Sequence, residues 1–285
     1  MKSNNPLCKY CGFEGVVKFG TYKGAQRYYC KVCNRKFKAG DTTFHMKLET
    51  NLVSSALNVY YEGLSVKDIR GHLLQEHGRA PSTATIYKWI HKYTQYAIDS
   101  VKDYHPNVGD IWIADETALK VGGQNVWLFD IIDIKTRYLL ATRLSRSRTA
   151  LDVQMLMDRA IKMARKNPKM VLTEKLASYL DIYYGKATEH RLSSPYSNED
   201  SISLIERFHD TFKDRMKVMR GLKNFETASD YAHGWLVNYN YLRPHESLSD
   251  KTPTQVAGIN YPYKNWADII RKHQPTAKVI LITSV

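Results

Sequence analysis

The stretch Ile111-Trp112-Ile113-Ala114-Asp115-Glu116 decides how the fold is interpreted, because a carboxylate directly follows an apolar run. A run this apolar predicts a strand that is buried on at least one face. An ionised Asp inside such a strand costs several kcal/mol unless a cation or a hydrogen-bond donor meets it. Hard divalent cations take carboxylate oxygens, so Asp115 is a candidate metal ligand. The alternative is an ordinary Asp at the strand end, which is solvated or caps a turn.

The chain is long and strongly basic. Its 285 residues suffice for a large core and more than one domain. Lys and Arg number 42 against 28 Asp and Glu, which gives a formal net charge of +14. Such an excess favours a polyanionic partner, most commonly a nucleic acid. The alternative is a basic surface with no nucleic-acid role.

Nothing in the sequence predicts a membrane location. No apolar run has the length of a membrane-spanning helix, and the N-terminal residues 1–6 lack the apolar segment of a signal peptide. We therefore expect a cytoplasmic protein, associated with the nucleoid through DNA. Cysteines in that reducing compartment are not expected to form disulfides.

Four cysteines predict a structural zinc site. Cys8 and Cys11 form one Cys-x2-Cys pair, and Cys30 and Cys33 form a second pair after 18 residues. Four thiolates satisfy a tetrahedral Zn2+ and leave no open coordination position. The alternative is four free buried cysteines. Residues 1–44 are therefore interpreted as a zinc ribbon.

The two cysteine pairs are joined by a predicted hairpin. Residues 16–20 and 26–30 have strand-like composition, and Gly24 lies in the turn between them. Asn34 follows the second pair, where a tight turn favours residues that tolerate positive φ. Many Lys and Arg side chains surround this segment, so it either contacts phosphates or presents a solvated basic face.

Residues 45–100 predict three short helices. Gly63 ends the first, Ser65 begins the second, Gly78 ends the second, and Ser82 begins the third. This trio is typical of a helix-turn-helix module, in which the third helix contacts DNA. The alternative is a plain helical linker. The candidate DNA-contacting residues are Ser82, Thr83, Thr85, Lys88 and Lys92.

Residues 108–248 predict an RNase H-like domain. The predicted elements are strands at 111–115, 126–133 and 137–142, a helix at 149–165, a strand at 170–173 and a long helix at 198–220. Strand–strand–strand–helix–strand–helix is the order of that fold. The fold class is therefore α+β with several domains, and residues 249–285 remain as a C-terminal tail.

The long helix supplies a second candidate acid. Helical spacing places Glu206, Asp210, Lys213, Lys217 and Arg220 along one side, with His209 on the apolar side. Two divalent ions held by carboxylates activate the oxygens of phosphodiester chemistry, and the three basic residues would neutralise the DNA strand. The alternative for Glu206 is an ordinary surface Glu, solvated or paired with a nearby cation.

Several blocks of the chain resemble the DDE transposases of the insertion-sequence-6 family. These blocks are Asp115 after Ile-Trp-Ile-Ala, Thr173-Glu174 before Ser178-Tyr179, and the segments 204–209, 217–222 and 240–248. The resemblance implies that Asp115 and Glu206 are the first and third acidic ligands of two Mg2+ (or Mn2+) ions. It places Glu174 at the second acidic position, completing the catalytic set.

The second position departs from the family pattern, which has Asp where this chain has Glu174. One extra methylene moves the carboxylate by about 1.5 Å, while Mg2+ demands near-ideal octahedral geometry. Three interpretations stay open. The site tolerates Glu174 at a reduced rate, the chain binds DNA without catalysis, or the substitution was made to trap a complex.

The resemblance implies a DNA transposase of an insertion sequence. Such an enzyme binds terminal inverted repeats and target DNA in double-stranded form, and cleaves and joins strands. Two ends must be cut together, so we expect a homodimer or a higher oligomer. The competing hypotheses are a catalytically impaired, transposase-derived DNA-binding protein and a zinc-ribbon transcription factor.

Overall fold

The architecture comes from a computed structural model that describes most of the chain. The described residues are 6–8, 14–22, 24–38, 50–173, 188–192, 202–218 and 222–273. Three of the predicted site residues fall outside them, namely Cys11, Glu174 and Arg220.

The N-terminal sheet consists of strands β1 (Val16–Tyr22), β2 (Ala25–Cys30) and β3 (Arg35–Lys38). The strands are antiparallel in the order β1-β2-β3. Gly24 lies between β1 and β2 with φ of +75°, and Asn34 precedes β3 with φ of +55°. The predicted hairpin, its glycine turn and the positive φ of Asn34 are therefore confirmed.

Three helices follow, α1 (Thr50–Tyr61), α2 (Val66–His77) and α3 (Thr83–Ser100). The Ser65 and Ser82 side chains cap α2 and α3 by accepting hydrogen bonds from backbone N–H groups three residues later. Gly78 ends α2 in the left-handed region, with φ of +67°. The predicted beginnings of α2 and α3 and the end of α2 are confirmed.

A five-stranded sheet forms the centre of the remaining chain. Its strands are β4 (Ile111–Val121), β5 (Gln124–Asp133), β6 (Leu139–Ser145), β7 (Met170–Thr173) and β8 (Glu189–Leu192). The order is β6-β5-β4-β7-β8. The pairs β4–β5 and β5–β6 are antiparallel, whereas β4–β7 and β7–β8 are parallel. This order and these directions are those of the predicted RNase H-like domain.

Two details of the sheet differ from the sequence-based expectation. Strand β4 continues six residues past the predicted end at Asp115, so this acid lies inside the strand and the strand-end alternative is wrong. Strand β8 was not predicted, because its four residues, Glu-His-Arg-Leu, carry no apolar periodicity.

Helices cover the sheet and continue to the end of the described chain. They are α4 (Ala150–Ala164), α5 (Ile202–Val218), α6 (Phe225–Val237), which continues as a π-helical turn (Asn238–Leu242), α7 (Pro253–Val256) and α8 (Trp266–His273). No helix among the described residues is both long and apolar enough to span a bilayer.

One hydrophobic cluster joins α1–α3, the five-stranded sheet and the C-terminal helices. The stack of Tyr61 of α1 on Trp266 of α8 illustrates this, with ring centroids 5.2 Å apart and rings 4° from parallel. Residues that we grouped as a C-terminal tail thus include a buried helix face, formed by Trp266, Ile269 and Ile270. The central sheet thus packs with helices from both the N-terminal and the C-terminal parts of the described chain.

Candidate catalytic site

Asp115 occupies the middle of the central strand, β4. It lies directly opposite Asp130 of β5 in the antiparallel register. On the other side of β4, Ala114 pairs with Thr173, the last residue of β7. Asp115 is buried but keeps 10% of its side chain exposed, whereas the side chain of Asp130 has no exposure. A water-borne ligand can therefore reach Asp115 from the surface.

His209 of α5 connects the two aspartates. Its Nδ1 lies 3.2 Å from Asp115 Oδ2, and its Nε2 lies 3.1 Å from Asp130 Oδ2. Burial lowers the pKa of the imidazole, but the hydrogen bonds and charges of both carboxylates outweigh burial and raise this pKa to about 9. A protonated His209 therefore donates to both aspartates at neutral pH.

Glu206 is carried by the same helix, one turn before His209. Residues three apart on a helix are neighbours on its surface, so Glu206 lies next to His209, at the exposed edge of the buried side of α5. His209 is buried against β4 and β5, while Glu206 is exposed. The His209–Asp115 contact thus brings the Glu206 turn of α5 to the strand that carries Asp115.

The basic residues of α5 continue beyond the acid. Lys213 is half-buried and Lys217 is exposed, and Lys217 donates to Asp214 at 3.1 Å. Both lie on the helical side that the sequence predicted to face a DNA strand. Arg220 follows the described part of this helix.

The second predicted acid, Glu174, lies outside the described residues. It is bonded to Thr173, and Thr173 pairs with the neighbour of Asp115. Thr173 is itself tied to β8 through a hydrogen bond of 2.8 Å between Oγ1 and His190 Nε2. Thr173, the residue before Glu174, therefore lies on the strand beside the one that carries Asp115.

The donor set suits a hard divalent cation. Asp115 and Glu206 supply carboxylate oxygens, which Mg2+ and Mn2+ prefer over nitrogen or sulfur. His209 contacts Oδ2 of Asp115. In the described chain, Oδ1 of the same carboxylate is not a buried oxygen that lacks a hydrogen-bond partner. The residues present thus fit a metal of this class.

Comparison with protein families identifies this region. Residues 109–245 match the family model of a transposase domain that is described as a DDE domain. We call this segment the DDE domain. The match includes both Asp115 and Glu206, and it supports the DDE type of transposase that the acid blocks predicted. A DDE domain implies metal-dependent nucleotidyl transfer. No curated protein matches the chain.

Solved structures similar to the chain include retroviral integrases. The magnesium-bound catalytic core of the HTLV-2 integrase (trimeric form) is 19% identical, with a TM-score of 0.43, over 54% of this chain and 97% of that chain. The BIV integrase catalytic core is 17% identical, with a TM-score of 0.40, over 52% and 93%. The fold of the DDE domain is assigned from its own strand order and directions and not from these similarities.

The DDE domain contains two site residues that the sequence reasoning missed, Asp130 and His209. Asp130 follows the apolar run Val126–Phe129 in the same way that Asp115 follows its own run. Applying the argument for a buried carboxylate to both strands would have found it. His209 was assigned to the apolar side of its helix, and only the contact across the sheet reveals its polar role.

Three of the four predicted zinc ligands converge outside the DDE domain. The Sγ atoms of Cys8, Cys30 and Cys33 all lie within 4.8 Å of one another. The Cys8 and Cys33 sulfurs are 3.5 Å apart, close to the roughly 3.8 Å between thiolates of a tetrahedral zinc site. Soft thiolates at this spacing fit Zn2+.

The predicted DNA-contacting residues lie at the exposed beginning and side of α3. Ser82 and Thr83 are exposed, and Ser82 Oγ accepts a hydrogen bond of 3.2 Å from the Thr85 N–H. Lys88 and Lys92 are exposed on a side of α3 that also presents Tyr87 and His91. The exposed residues on this side of α3 are Ala84, Tyr87, Lys88, His91 and Lys92.

Proposed function

We propose that the protein is the transposase of an insertion sequence of the insertion-sequence-6 type. It binds the terminal inverted repeats of its element and catalyses metal-dependent strand cleavage and strand transfer into target DNA. The observation that carries this proposal is the buried Asp115 of the DDE domain, joined through His209 to the helix that bears Glu206. As a transposase it acts in the cytoplasm, at the nucleoid.

Asp115, Glu174 and Glu206 are the proposed ligands of two Mg2+ or Mn2+ ions. Such ions, when bound, activate a water oxygen and stabilise the leaving oxygen of a phosphodiester. Asp115 enters from the sheet and Glu206 from α5, so the two acids approach the site from different elements. Lys213, Lys217 and Arg220 follow Glu206 and neutralise the phosphates of the bound strand.

The N-terminal sheet and α1–α3 are the proposed end-binding modules. Cys8, Cys11, Cys30 and Cys33 hold a structural Zn2+ that stabilises the N-terminal sheet. Helix α3 enters the major groove with its exposed lysines, and Ser82 and Thr83 approach the DNA from its N-terminal end. Lys88 and Lys92 support this role, because both cations are exposed on the same side of α3.

The open face of the N-terminal sheet also favours DNA. Phe19 is 39% and Tyr22 is 50% exposed, and Arg27 stands over both rings. Lys36 Nζ lies 4.0 Å from the Phe19 centroid, and Lys38 Nζ lies 5.0 Å from that of Tyr22. Alternating cations and exposed rings suit phosphates and bases together.

Two ends of an element are cut in one complex, so we propose a homodimer or higher oligomer as the active form. The decisive experiment is strand transfer by purified protein with a labelled terminal repeat and Mg2+ or Mn2+. Asp115→Asn and Glu206→Gln each lower the rate at least about 100-fold. The matched control is Asp214→Asn, an exposed acid of the same helix, which leaves the rate within about 3-fold. Equal activity of the first two variants and the wild type would refute the proposal.

A second candidate function is DNA binding without catalysis, because Glu174 replaces the Asp of the family. The variant Glu174→Asp separates the two candidates. Equal strand transfer by both forms favours an active enzyme that tolerates Glu. Strand transfer by the Asp form alone, with unchanged binding to the terminal repeat, favours the impaired protein.

A further inference from the structure

Asp130 and His209 form a buried connection behind Asp115. Both side chains are almost wholly buried, with 0% exposure for Asp130 and 3% for His209. We propose that this pair positions the Asp115 carboxylate for metal binding and fixes the distance between Asp115 and Glu206. The inference rests on the proposed role of Asp115 as a metal ligand. His209 and Asp130 are positioning residues, because they act through Asp115.

His209 restrains the orientation of the Asp115 carboxylate. The terminal torsion of an Asp side chain is broad, so an unrestrained carboxylate rotates through many positions. His209 Nδ1 holds Oδ2 at 3.2 Å, and this contact selects the orientation in which Oδ1 is left for another partner. Carboxylates that bind metals are commonly fixed by such outer hydrogen bonds.

Asp130 contacts the other nitrogen of the His209 ring. Its Oδ1 is buried and has no hydrogen-bond partner in the described chain, while Oδ2 contacts His209 Nε2. A buried carboxylate is costly unless a donor or a cation meets it, and His209 is the donor that meets Asp130. With no exposed surface, Asp130 does not meet a solvated ion in this arrangement. Its remaining contact is with the imidazole, which it orients toward Asp115.

The position of His209 on α5 also restrains the distance between Asp115 and Glu206. His209 and Glu206 are three residues apart on α5, so a rigid helix transmits the position of one to the other. The His209 contacts with β4 and β5 therefore fix both the height and the rotation of the Glu206 turn. Loss of these contacts would leave the Glu206 end of α5 held by buried apolar side chains, since the bonds of Arg215 to Tyr61 and Glu62 lie at the far end of the helix.

Two conservative substitutions at His209 separate its two contacts. The Asn amide nitrogen reproduces the place of Nδ1, and the Gln amide nitrogen reproduces that of Nε2. His209→Asn keeps a donor toward Asp115, whereas His209→Gln keeps a donor toward Asp130 only. We expect the Mn2+ dissociation constant, measured by calorimetric titration of the full chain, to rise about 10- to 100-fold in His209→Gln. In His209→Asn it rises about 3-fold or less, which is rescue by the conservative variant.

Asp130→Asn is the second test, and Asp133→Asn is its matched control. Asp133 lies on the same strand with 0% exposure and also has an unpaired Oδ1 among the described residues. Its Oδ2 accepts hydrogen bonds from Thr136, so it does not contact the site. We expect Asp130→Asn to weaken Mn2+ binding at least about 10-fold, and Asp133→Asn to leave it within about 2-fold.

Circular dichroism and urea unfolding establish that each variant titrated is folded. The inference is overturned if His209→Gln and Asp130→Asn both bind Mn2+ as the wild type does, or if Asp133→Asn weakens binding as much as Asp130→Asn. Asp115→Asn identifies the source of such a failure. If it abolishes Mn2+ binding while the positioning variants do not, this inference alone fails. If Asp115→Asn binds Mn2+ normally, the proposed function fails.

Discussion

The N-terminal sheet and the DDE domain with its surrounding helices bury their side chains in different ways. Among the described residues, the hydrophobic cluster of the N-terminal sheet consists of Cys8, Val16, Tyr28, Cys30 and Phe37, with Cys33 packed against it. The second cluster extends from Leu52 in α1 to Ile270 in α8. It includes residues of four strands of the central sheet, namely β4, β5, β6 and β7. Two of the five buried residues in the smaller cluster are thus potential metal ligands.

The two regions therefore need different sources of stability in order to fold. A segment of roughly 40 residues buries too little apolar surface to be stable without a metal or a disulfide. A large core buries enough apolar surface to offset the cost of holding charged groups away from water. The buried polar residues of the chain lie beside this large cluster, among them Asp115, Asp130, Asp152 and His209.

The largest expected effect comes from breaking the cysteine site. Cys30→Ser, or removal of Zn2+ by a chelator, should unfold the N-terminal sheet and leave the DDE domain folded. Structural zinc contributes on the order of 10 kcal/mol to the folding of small domains. Hydrogen exchange followed by mass spectrometry measures both regions in one sample. Protection should disappear from β1–β3 and persist in β4 and β5.

Addition of Zn2+ to the chelated wild type is the control, and it should restore protection in β1–β3. Cys30→Ser should not respond to the same addition. Retention of protection in β1–β3 after chelation would show that the small cluster is stable by packing alone. The contrast between the two regions would then be wrong.

A smaller effect is expected at Asp152, which the large region buries with its charge satisfied. It is 3% exposed and accepts hydrogen bonds from Ser145, Ser147, Thr149 and Arg143. Burial raises the pKa of the Asp152 carboxyl, but the bonds from the three hydroxyls and from Arg143 outweigh burial and lower that pKa far below its usual range. Asp152 also closes the capping box of α4 with Thr149.

The sign of the pH dependence follows from the lowered pKa. The folded pKa lies below the unfolded value of about 3.9, so the stabilisation is present above about pH 4 and is lost as the pH falls. Asp152→Ala should lower the free energy of unfolding by about 3 kcal/mol at pH 7. The difference from the wild type should shrink between about pH 4 and pH 2 in urea titrations. A constant difference would contradict the assignment, and Asp158→Asn on the exposed side of α4 is the control.

The sequence predicted the local features of both regions because these depend on neighbouring residues. Caps at Ser65 and Ser82, the glycine stop at Gly78 and the hairpin turn at Gly24 need only a few residues to specify them. The order of elements in the DDE domain followed from the length and periodicity of each apolar run. Asp115 was singled out by the apolar run before it and Glu206 by helical spacing, and the resemblance to a known family joined the two acids into one catalytic set.

Features that depend on contacts across the chain were not predicted. Asp130 and His209 are 79 residues apart, and no local pattern signals that they meet. Strand β8 has one apolar residue in four, and its position comes from pairing with β7 rather than from its own composition. Arg137 was assigned to β6, but its φ of +60° places it in the turn before that strand.

Close packing between helices gives the next prediction. A Cβ on Gly234 of α6 would lie 2.0 Å from Tyr61 Oη and 2.7 Å from Thr94 Cγ2. These two side chains form a buried hydrogen bond of 2.7 Å, which joins α1 to α3. Gly234→Ala should therefore lower the free energy of unfolding by about 1–3 kcal/mol, because the added methyl overpacks this contact.

Gly71→Ala is the matched control, since Gly71 lies inside α2 and a Cβ there would meet no atom within 4 Å. It should raise the free energy of unfolding by about 0.5–1 kcal/mol, as Ala is the better helix former. The urea midpoints of the two variants should thus move in opposite directions. Gly234→Ala at or above the wild-type midpoint would indicate a looser contact between α6 and α1–α3.

The smallest effect is expected on the surface of the N-terminal sheet, where charge serves DNA binding rather than folding. Lys36 is exposed and lies over the Phe19 ring, so its replacement removes one cation from the open face. Lys36→Gln should leave the unfolding of the N-terminal sheet within about 0.5 kcal/mol of the wild type. The slope of log K against log salt for a terminal-repeat duplex should become shallower by about 1. Lys162→Gln, which removes the same charge from the exposed side of α4, should keep the wild-type slope. A slope that is unchanged in Lys36→Gln would place the phosphate contacts elsewhere, and the open face would then be only a solvated surface.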